Sequence, residues 1–276
     1  MSSCGQPLRT LGVADARTPA PSLRLDLTPA TFFPPPVWYV RDRKSFEVDA
    51  GYGGVAPRQA VDVIAVPLAG GFPLLVRSDV RLGRRYTWDT RALAPEGKMR
   101  TYLLYAAASW TSIRSEPRVL VIDRKAPTAW IEPARQDLDN RHFASVETVS
   151  PEAGRTDLVF GPTTLYLGGS DPAQIREIKA VLTNQVTGER TVRRFEGSLS
   201  GWSDCLVGVD ARDETPSVTC ALRHDFSNAP GRYDLSIRVT DSVGNRTGIR
   251  TSLLALPCPR PQAEDAWVCA KDLLTP

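Results

Sequence analysis

Apolar and polar residues alternate most strictly near the C-terminal end of the chain, in residues 231–245 (GRYDLSIRVTDSVGN). Apolar side chains occupy every second position from Tyr233 to Val239, which predicts a β-strand with one buried and one solvated face. The DSVGN segment then predicts a turn, because Asp and Asn side chains hydrogen-bond nearby backbone and Gly and Asn tolerate positive φ. The alternation resumes from Thr247 to Leu253, so the sequence predicts a β-hairpin.

Segments of strand character recur along the rest of the chain at intervals of about ten residues, separated by turn residues. No long segment has the 3.6-residue periodicity of an amphipathic helix. The segments include VWYV at 37–40, SFEVDAGY at 45–52, AVDVIAVPL at 60–68, PRVLVID at 117–123, TTLYLGGSDP at 163–172 and REIKAVLT at 176–183. This pattern predicts an all-β protein built of sandwiches rather than a βαβ arrangement.

We expect two β-sandwiches in tandem, since 276 residues suit about two domains of ordinary size. A Pro-rich segment precedes them and favours an extended spacer over a core. Pro127 restricts the residue before it to extended conformations and so predicts a short junction. The expected divisions are a tether at 1–35, a first sandwich at 36–124, a second at 125–257 and a tail at 258–276. Within the second sandwich, the polar stretch 134–158 is predicted to be a long loop.

Composition and charge argue for a globular protein that does not bind nucleic acid. Hydrophobic residues make up 42%, which supports a packed core, and the net charge is only +3. The basic segments RDRK at 41–44, RLGRR at 81–85 and RRF at 193–195 are short and interrupted, whereas nucleic-acid binding needs a concentrated basic stripe. No apolar run reaches the roughly 18 residues of a membrane helix, and residues 1–17 lack the apolar core of a signal peptide.

Four of the five cysteines have a paired spacing that is typical of disulfides in a small all-β domain. Cys205 would bond Cys220, and Cys258 would bond Cys269. The alternatives are reduced core thiols or a metal site, but the long spacings and the presence of only two histidines disfavour zinc. Two disulfides would indicate an oxidising, extracytoplasmic compartment.

The fifth cysteine, Cys4, lies in the sequence MSSCG, which resembles the end of a bacterial lipobox. Such a box normally has Leu three residues before the cysteine, where this chain has Met1. We expect the natural chain to begin upstream with a leader and Cys4 to be lipid-modified, with the Pro-rich segment as a tether. The alternative is an N-terminal cysteine with no such role. Multiple acyl chains would anchor the protein stably to a membrane.

The C-terminal hairpin, with its G-x-Y-x-L-x-I-x-V-x-D-x-x-G-N pattern, resembles bacterial immunoglobulin-like and fibronectin type III-like tandem modules of cell-envelope and secreted proteins. SDPAQIREIKAVLTN before it, the seam VIDRKAPTAWIEP and the segment YTWDTRALAPEGKMRTYLL are similar to the same modules. The resemblance covers residues 37–256, more strongly in the second half. It implies two tandem immunoglobulin-like β-sandwiches, and such modules serve as spacers, adhesins, assembly parts or appendages of enzymes.

Catalytic machinery is not evident in the sequence. GSLSG at 197–201 has Leu199 where an esterase elbow has its nucleophile. His142 falls in the polar stretch and His224 adjoins Asp225 at a strand end, as surface histidines often do. We therefore predict that the protein is not an enzyme.

Carboxylates do not form the pair that a glycosidase needs. The oxygen-rich segments QDLDN, with Asp137 and Asp139, and DSVGN, with Asp241, lie near module ends, where other sandwich proteins hold calcium. Neither segment matches a complete ligand string such as an EF-hand loop, and Asx hydrogen bonds explain both more simply. The sequence thus leaves calcium open, and no metal or other cofactor is predicted.

Aromatic residues concentrate in the first module, and an exposed set could contact a polysaccharide or a partner protein. Trp38, Tyr52 and Trp110 are the candidates, with Trp110 at a predicted hairpin tip. We interpret the chain as a non-catalytic, lipid-anchored scaffold of the bacterial cell envelope. Its expected partners are other envelope or surface proteins, which would add strands to its sheet edges. The alternative is a carbohydrate-binding accessory module.

Overall fold

The computed structural model of the chain is an all-β structure. It describes residues 20–28, 37–51, 54, 56–132, 135–138, 141–144, 147–150, 154–159, 162–198, 201–210, 214–227 and 229–255. Within these ranges there is no helix that is long and apolar enough to cross a membrane.

Strands account for most of the described residues. Those of the N-terminal part are β1 (Leu23–Thr28), β2 (Val37–Val40), β3 (Arg43–Ala50), β4 (Val61–Pro67), β5 (Leu74–Arg77), β6 (Arg85–Asp89), β7 (Met99–Ala108) and β8 (Arg118–Asp123). Those that follow are β9 (Thr128–Ile131), β10 (Arg135–Leu138), β11 (Arg141–Ala144), β12 (Glu147–Ser150), β13 (Gly154–Val159), β14 (Pro162–Ser170), β15 (Ile175–Asn184), β16 (Arg190–Ser198), β17 (Gly201–Trp202), β18 (Cys205–Val209), β19 (Pro216–Asp225), β20 (Gly231–Asp241) and β21 (Arg246–Ala255).

The described residues belong to two compact units. The first draws on residues within 1–38, 43–89 and 101–121, and the second on residues within 39–42, 90–100 and 122–276. The strands of the N-terminal part form two sheets, with the orders β1-β3-β6 and β2-β8-β7-β4-β5. Trp88 of the first sheet meets Tyr102 of the second edge to face, with ring centroids 6.4 Å apart. The contact places the two sheets against each other, as in a sandwich.

One strand lies inside the N-terminal segment that the sequence predicted to be a spacer. β1 pairs antiparallel with β3 along its whole length, from Leu23 opposite Ala50 to Thr28 opposite Ser45. The leucines of LRLDLT are buried at every second position, which gives this segment a face that a sheet can cover. The spacer prediction is therefore wrong for residues 23–28. Residues 1–19 and 29–35 of the predicted tether, and the predicted tail at 258–276, lie outside the described residues.

The second unit is a β-sandwich whose two sheets enclose one hydrophobic core. One sheet has the order β11-β10-β14-β19-β18, with β9 also paired to β14, and the other has the order β12-β13-β21-β20-β15-β16-β17. Buried side chains from both sheets make up this core. β13 runs parallel to β21, whereas the other paired strands of this unit are antiparallel.

The hairpin predicted at the C-terminal end of this unit is confirmed. β20 and β21 pair antiparallel from Gly231 opposite Ala255 to Thr240 opposite Arg246. The apolar side chains from Tyr233 to Val239 are buried, and the charged side chains between them face solvent.

The polar stretch at 134–158, predicted to be a loop, instead contains four strands. β10 and β11 form a hairpin, and β12 and β13 form another. β10 also pairs with β14, and β13 pairs with β21, which lies about a hundred residues later in the chain. Local composition does not reveal such pairing, because strand formation depends strongly on the neighbouring strands.

Tyr233 holds the segment that precedes β20 against the start of that strand. Its hydroxyl donates a hydrogen bond of 2.6 Å to the carbonyl oxygen of Ala229, four residues upstream. A tyrosine that bonds back to the backbone at the start of a strand is a hallmark of immunoglobulin-like sandwiches, where it is called the tyrosine corner. Its ring also packs edge to face against Phe226, with centroids 5.0 Å apart.

Replacing Tyr233 by Phe keeps the ring and removes this hydrogen bond. We expect Tyr233→Phe to lower the free energy of unfolding by about 1 kcal/mol, since an intramolecular hydrogen bond contributes roughly that amount. Urea denaturation measures the change. Tyr166→Phe is the matched control, because the Tyr166 hydroxyl forms no hydrogen bond with the described residues and its loss should leave stability unchanged.

Candidate metal centre

Three carboxylates converge in the second unit, each where a strand gives way to a loop. Asp123 ends β8, Asp171 follows β14 directly and Asp241 ends β20. Each side chain offers a carboxylate oxygen, and the three oxygens lie within 4.8 Å of one another. All three residues are buried, with 0%, 2% and 0% of their surfaces exposed, respectively. Charged side chains rarely lie so deep without a compensating partner.

Asp241 is held by the turn that follows it. Its Oδ1 accepts hydrogen bonds from the backbone N–H groups of Val243, Gly244 and Asn245, at 3.0, 2.6 and 2.8 Å. Gly244 has φ = 96°, a left-handed conformation that glycine adopts without strain. This is the Asx turn that DSVGN predicted, and it fixes the carboxylate at the end of β20.

Asn245 links the turn to the end of β8. Its Nδ2 donates to Asp241 Oδ2 at 2.8 Å and to the carbonyl oxygen of Asp123 at 3.1 Å. The other two carboxylates are each held by one backbone donor: Asp123 Oδ1 accepts from Lys125 N–H at 2.9 Å, and Asp171 Oδ1 accepts from Ala173 N–H at 2.7 Å. Backbone groups thus orient all three acids.

Two oxygens at this centre are buried without a hydrogen-bond partner in the described part of the chain. They are Oδ2 of Asp123 and Oδ1 of Asn245, and both residues are more than nine-tenths buried. A buried polar atom that is left unsatisfied costs roughly 1–3 kcal/mol, and more when it is charged. Both atoms are acceptors, so they could bind a cation or accept from a further hydrogen-bond donor.

Burial of the three carboxyl groups raises their pKa values and so favours their protonated forms. Burial first, and the charge of Asp123 second, raise the pKa of Asp171 to about 8. Burial raises the pKa of Asp123 to about 6, although the N–H of Lys125 acts in the opposite direction. Burial also raises the pKa of Asp241, against the hydrogen bonds from Asn245. Tyr39 faces the cluster as well, and its pKa is raised by burial and then by the charges of Asp123 and Asp171.

These residues fit a hard divalent cation. The cluster offers only oxygen ligands, which suit Ca²⁺ or Mg²⁺ rather than zinc. Two oxygens that bind one Ca²⁺ at 2.3–2.6 Å can be at most about 5 Å apart, and the three carboxylates meet that limit. The unpartnered oxygens of Asp123 and Asn245 are acceptors of the kind that such an ion would satisfy.

Sequence reasoning identified one member of this centre and missed its partners. Asp241 was expected to stabilise a turn, as it does, but the expectation of no metal-ligating residues did not connect it with Asp123 and Asp171. Both of these lie in segments that carry the family resemblance, VIDRKAPT and SDPAQ. The likeness of VIDRKAPT to a seam between modules was the signal available for Asp123. Asp137 lies in β10, and Asp139 lies outside the described residues.

The predicted disulfide between Cys205 and Cys220 is confirmed. The two residues lie directly opposite each other on β18 and β19. Cys220 is fully buried in the core of the second unit, so the bond ties an edge strand to that core. Cys258 and Cys269 lie outside the described residues, as does Cys4.

Without this disulfide the unfolded chain gains conformational entropy, because the loop between the two cysteines is no longer closed. The double substitution Cys205→Ala with Cys220→Ala is expected to lower the free energy of unfolding by about 3 kcal/mol, the value for a loop of about 15 residues in the chain-entropy model. Guanidinium denaturation measures the change. Wild-type protein unfolded with and without a reductant is the control, and equal stability of the oxidised and reduced forms would contradict the prediction.

The aromatic residues proposed as ligand contacts differ in their exposure to solvent. Trp38 is only 7% exposed, which corrects the expectation that it lies on a contact surface, because its alternating position in β2 turns it inward. Trp110 is fully exposed, in a turn where its φ is 60°. Tyr52 lies outside the described residues.

The histidines show no catalytic arrangement in the described residues. His224 packs against Phe226 and Tyr233, with centroids 4.6 and 5.9 Å away, and burial lowers its pKa. His142 lies in β11, and Leu199 of the GSLSG segment lies outside the described residues.

Comparisons with known proteins identify no family. No protein-family model matches the sequence, and no curated protein matches it. Among solved structures, the chain is similar to one reported for host cell surface retention of a 1.5-MDa bacterial ice-binding adhesin, with 12% identity and a TM-score of 0.34. That match covers 87% of this chain and 66% of the other.

The FN1–FN3 domains of chicken CNTN1 are also similar, with 11% identity and a TM-score of 0.28, over 78% of this chain and 64% of the other. The chain thus spans just under two thirds of each of these structures. Both TM-scores are low, so the fold assignment rests on the strands, sheets and tyrosine corner described above.

Proposed function

We propose that this protein is a non-catalytic, immunoglobulin-like scaffold of the bacterial cell surface whose second unit binds Ca²⁺ at the centre formed by Asp123, Asp171 and Asp241. The observation that carries the proposal is the convergence of three buried carboxylates with a further unpartnered amide oxygen at Asn245. The ion would supply positive charge beyond that of Lys125, which also acts on Asp123 and Asp171. Its role is structural.

A cation here would connect three segments of chain that are distant in sequence. The ligands stand at the ends of β8, β14 and β20, so one ion would fix the loops after all three strands. Binding of the folded state alone stabilises it by about 2.7 kcal/mol when the free ion is at 100 times its Kd. Calcium sites of extracellular modules have Kd values of roughly 10⁻⁴–10⁻³ M, so the protein would become stiff only where calcium is plentiful.

Thermal unfolding with and without calcium tests the proposal. Relative to protein in EDTA, CaCl₂ at about 10 mM, which is 100 times a Kd of about 10⁻⁴ M, is expected to raise the Tm by about 5–10 °C, since 1 kcal/mol corresponds to roughly 2–4 °C for a chain of this size. NaCl at equal ionic strength is the control for screening, and MgCl₂ tests the choice of ion. Equal Tm values in EDTA and CaCl₂ would contradict the proposal.

An extracytoplasmic location is supported by the disulfide between Cys205 and Cys220, because such bonds persist in oxidising compartments. Lipid modification of Cys4 would anchor the protein to a membrane there. Mass spectrometry of the N-terminal peptide from detergent-solubilised envelope tests the anchor. An unmodified Cys4 in the membrane fraction would exclude it.

The partners that we propose are other envelope or surface proteins, bound by strand addition. β18 is at the end of its sheet among the described strands. It exposes Leu206, Val207 and Val209, with 77%, 65% and 64% of their surfaces accessible. An apolar edge strand of this kind can pair with an extended segment of another chain. Asp or Lys substitutions at Leu206 and Val207 should reduce the recovery of partners from solubilised envelope.

A second candidate function, carbohydrate binding by aromatic residues of the first unit, is favoured by Trp110. A bulky residue at positive φ is strained, and such strain is often retained for function. Trp110→Ala should then abolish binding to neutral polysaccharides, measured by affinity electrophoresis. Unchanged mobility shifts in the variant would exclude this residue from sugar binding.

A further inference from the structure

Three arginines of the first unit converge on one shallow pocket. It has a volume of about 580 Å³ and lies between the end of β5, the start of β6 and the loop that connects them. Arg77 and Arg84 place their guanidinium carbons 5.1 and 5.6 Å from the centre of the Tyr86 ring. Arg81 also lines the pocket, and Asp79 is its one acidic side chain. The lining therefore carries a net charge of about +2, counted from three arginines and one aspartate.

Hydrogen bonds hold the connecting loop in place, and they thereby fix the backbone positions from which the arginine side chains extend. The backbone N–H of Val80 donates to the carbonyl oxygen of Val61 at 2.7 Å, and that of Gly83 donates to Val48 at 2.9 Å. The N–H of Arg81 donates to the Tyr86 hydroxyl at 2.9 Å. Stacking of Arg77 and Arg84 against this ring further limits their motion. Guanidinium groups positioned in this way lose little freedom on binding a ligand.

Among the described residues, the pocket arginines lack acidic partners, in contrast to the ion-paired arginines of the protein. Arg24, Arg124 and Arg194 form ion pairs with carboxylates at distances of 2.5–3.4 Å. In contrast, the three pocket arginines form no ion pair within 4.0 Å in the part of the chain that the structure describes. The lining holds three arginines and a single carboxylate, Asp79, so its net positive charge favours an anionic ligand.

We propose that this pocket binds the acidic groups of an anionic polysaccharide. Guanidinium forks match carboxylate and sulfate oxygens in bidentate geometry. The half-buried Tyr86 ring and the exposed side chain of Leu75, at 63%, offer apolar surface for the C–H groups of a sugar ring. The basic charge is confined to one concave site, whereas a duplex would require a stripe along the surface. This site is separate from the metal centre and does not depend on it.

Binding of the full-length protein to immobilised polysaccharides in EDTA tests the proposal, because calcium then cannot bridge the two. Polygalacturonate supplies carboxylates, dextran sulfate supplies sulfates, and unmodified dextran is the neutral reference. Wild-type protein should bind at least one of the charged polymers and not dextran. The double variant Arg77→Gln with Arg84→Gln should bind about tenfold or more weakly, as expected when two charge-assisted contacts are lost.

The matched control removes two exposed arginines outside the pocket, Arg176→Gln with Arg250→Gln, and should bind within about twofold of wild type, since only net charge changes. An equal loss in both double variants would overturn the proposal in favour of net charge. Equal binding of dextran, no binding of either charged polymer, or tighter binding of duplex DNA would overturn it too. Trp110→Ala should retain the binding, which separates this pocket from the exposed tryptophan.

Discussion

Replacing Asp171 by Asn should stabilise the metal-free protein and abolish its response to calcium. In EDTA at pH 8, close to the pKa of about 8 of Asp171, the substitution removes a buried carboxyl group that is about half ionised, and the new Nδ2 can donate towards the unpartnered Oδ2 of Asp123. The amide oxygen can still accept from Ala173 N–H. We expect a gain of about 1–3 kcal/mol in the free energy of unfolding, because relief of uncompensated buried charge is of this order. Urea denaturation in EDTA measures the gain.

In CaCl₂ at about 100 times its Kd the advantage of the variant should disappear, since the variant has lost a carboxylate ligand and the wild type gains about 2.7 kcal/mol from the ion. Asp234→Asn is the matched control. It neutralises an exposed acid of β20 that lies outside the cluster, and should change stability by less than about 0.5 kcal/mol in either buffer. A loss of stability for Asp171→Asn in EDTA would contradict the account, because it would show that the ionised carboxylate stabilises the metal-free fold.

Acidification should stabilise the metal-free protein, in contrast to the usual behaviour of proteins that rely on ionised carboxylates. A carboxyl group whose pKa is raised on folding binds more protons in the folded state than in the unfolded state. Its contribution to stability is therefore largest at low pH and is lost as the pH rises through the folded pKa. The pKa of Asp171 is about 8 and that of Asp123 about 6, so the window runs from pH 8 down to about 5.

Lowering the pH from 8 to 5.5 in EDTA should raise the free energy of unfolding by up to about 3 kcal/mol, since each additional proton bound contributes about 1.4 kcal/mol per pH unit. Tyr39 also faces the cluster, and its raised pKa keeps the phenol protonated over this range. Below about pH 4.5 the trend should end, because Glu96 and Asp225 have lowered pKa values and lose their favourable interactions on protonation. Saturating calcium should reverse the slope, because protons then compete with the ion. A stability that rises with pH in EDTA would contradict this prediction.

The fold was predictable where the strand pattern is local and not where pairing is distant. The alternation in β20 and β21 determines which side chains are buried, and one turn joins the two strands, so a short sequence contains the information. β1 lies between prolines, and its three leucines gain a buried face only by pairing with β3. β13 is polar in sequence and pairs in parallel with β21, about a hundred residues later in the chain. No local pattern shows such a partnership.

The sequence allowed the local role of a single residue of the candidate site to be predicted, but not the grouping of the three acids. The turn at 241–245 has a local cause in the Asx hydrogen bonds of Asp241. The meeting of Asp241 with Asp123 and Asp171 arises from the folding of the second unit, which brings together three residues that are distant in sequence. Burial of the three acids, which distinguishes a cation site from ordinary turn residues, is likewise a property of the folded chain. The same is true of the arginine pocket, since RLGRR at 81–85 reads as a solvated loop until Arg77 and Tyr86 are placed beside it.

Equilibrium dialysis of the purified chain against ⁴⁵Ca²⁺ near neutral pH addresses the central claim directly, because it counts ions without reference to stability. About one calcium ion should be retained per chain, and none by Asp171→Asn, at concentrations that suit a millimolar or tighter site. Wild-type protein that retains no more calcium than the variant would show that the buried acids hold protons instead.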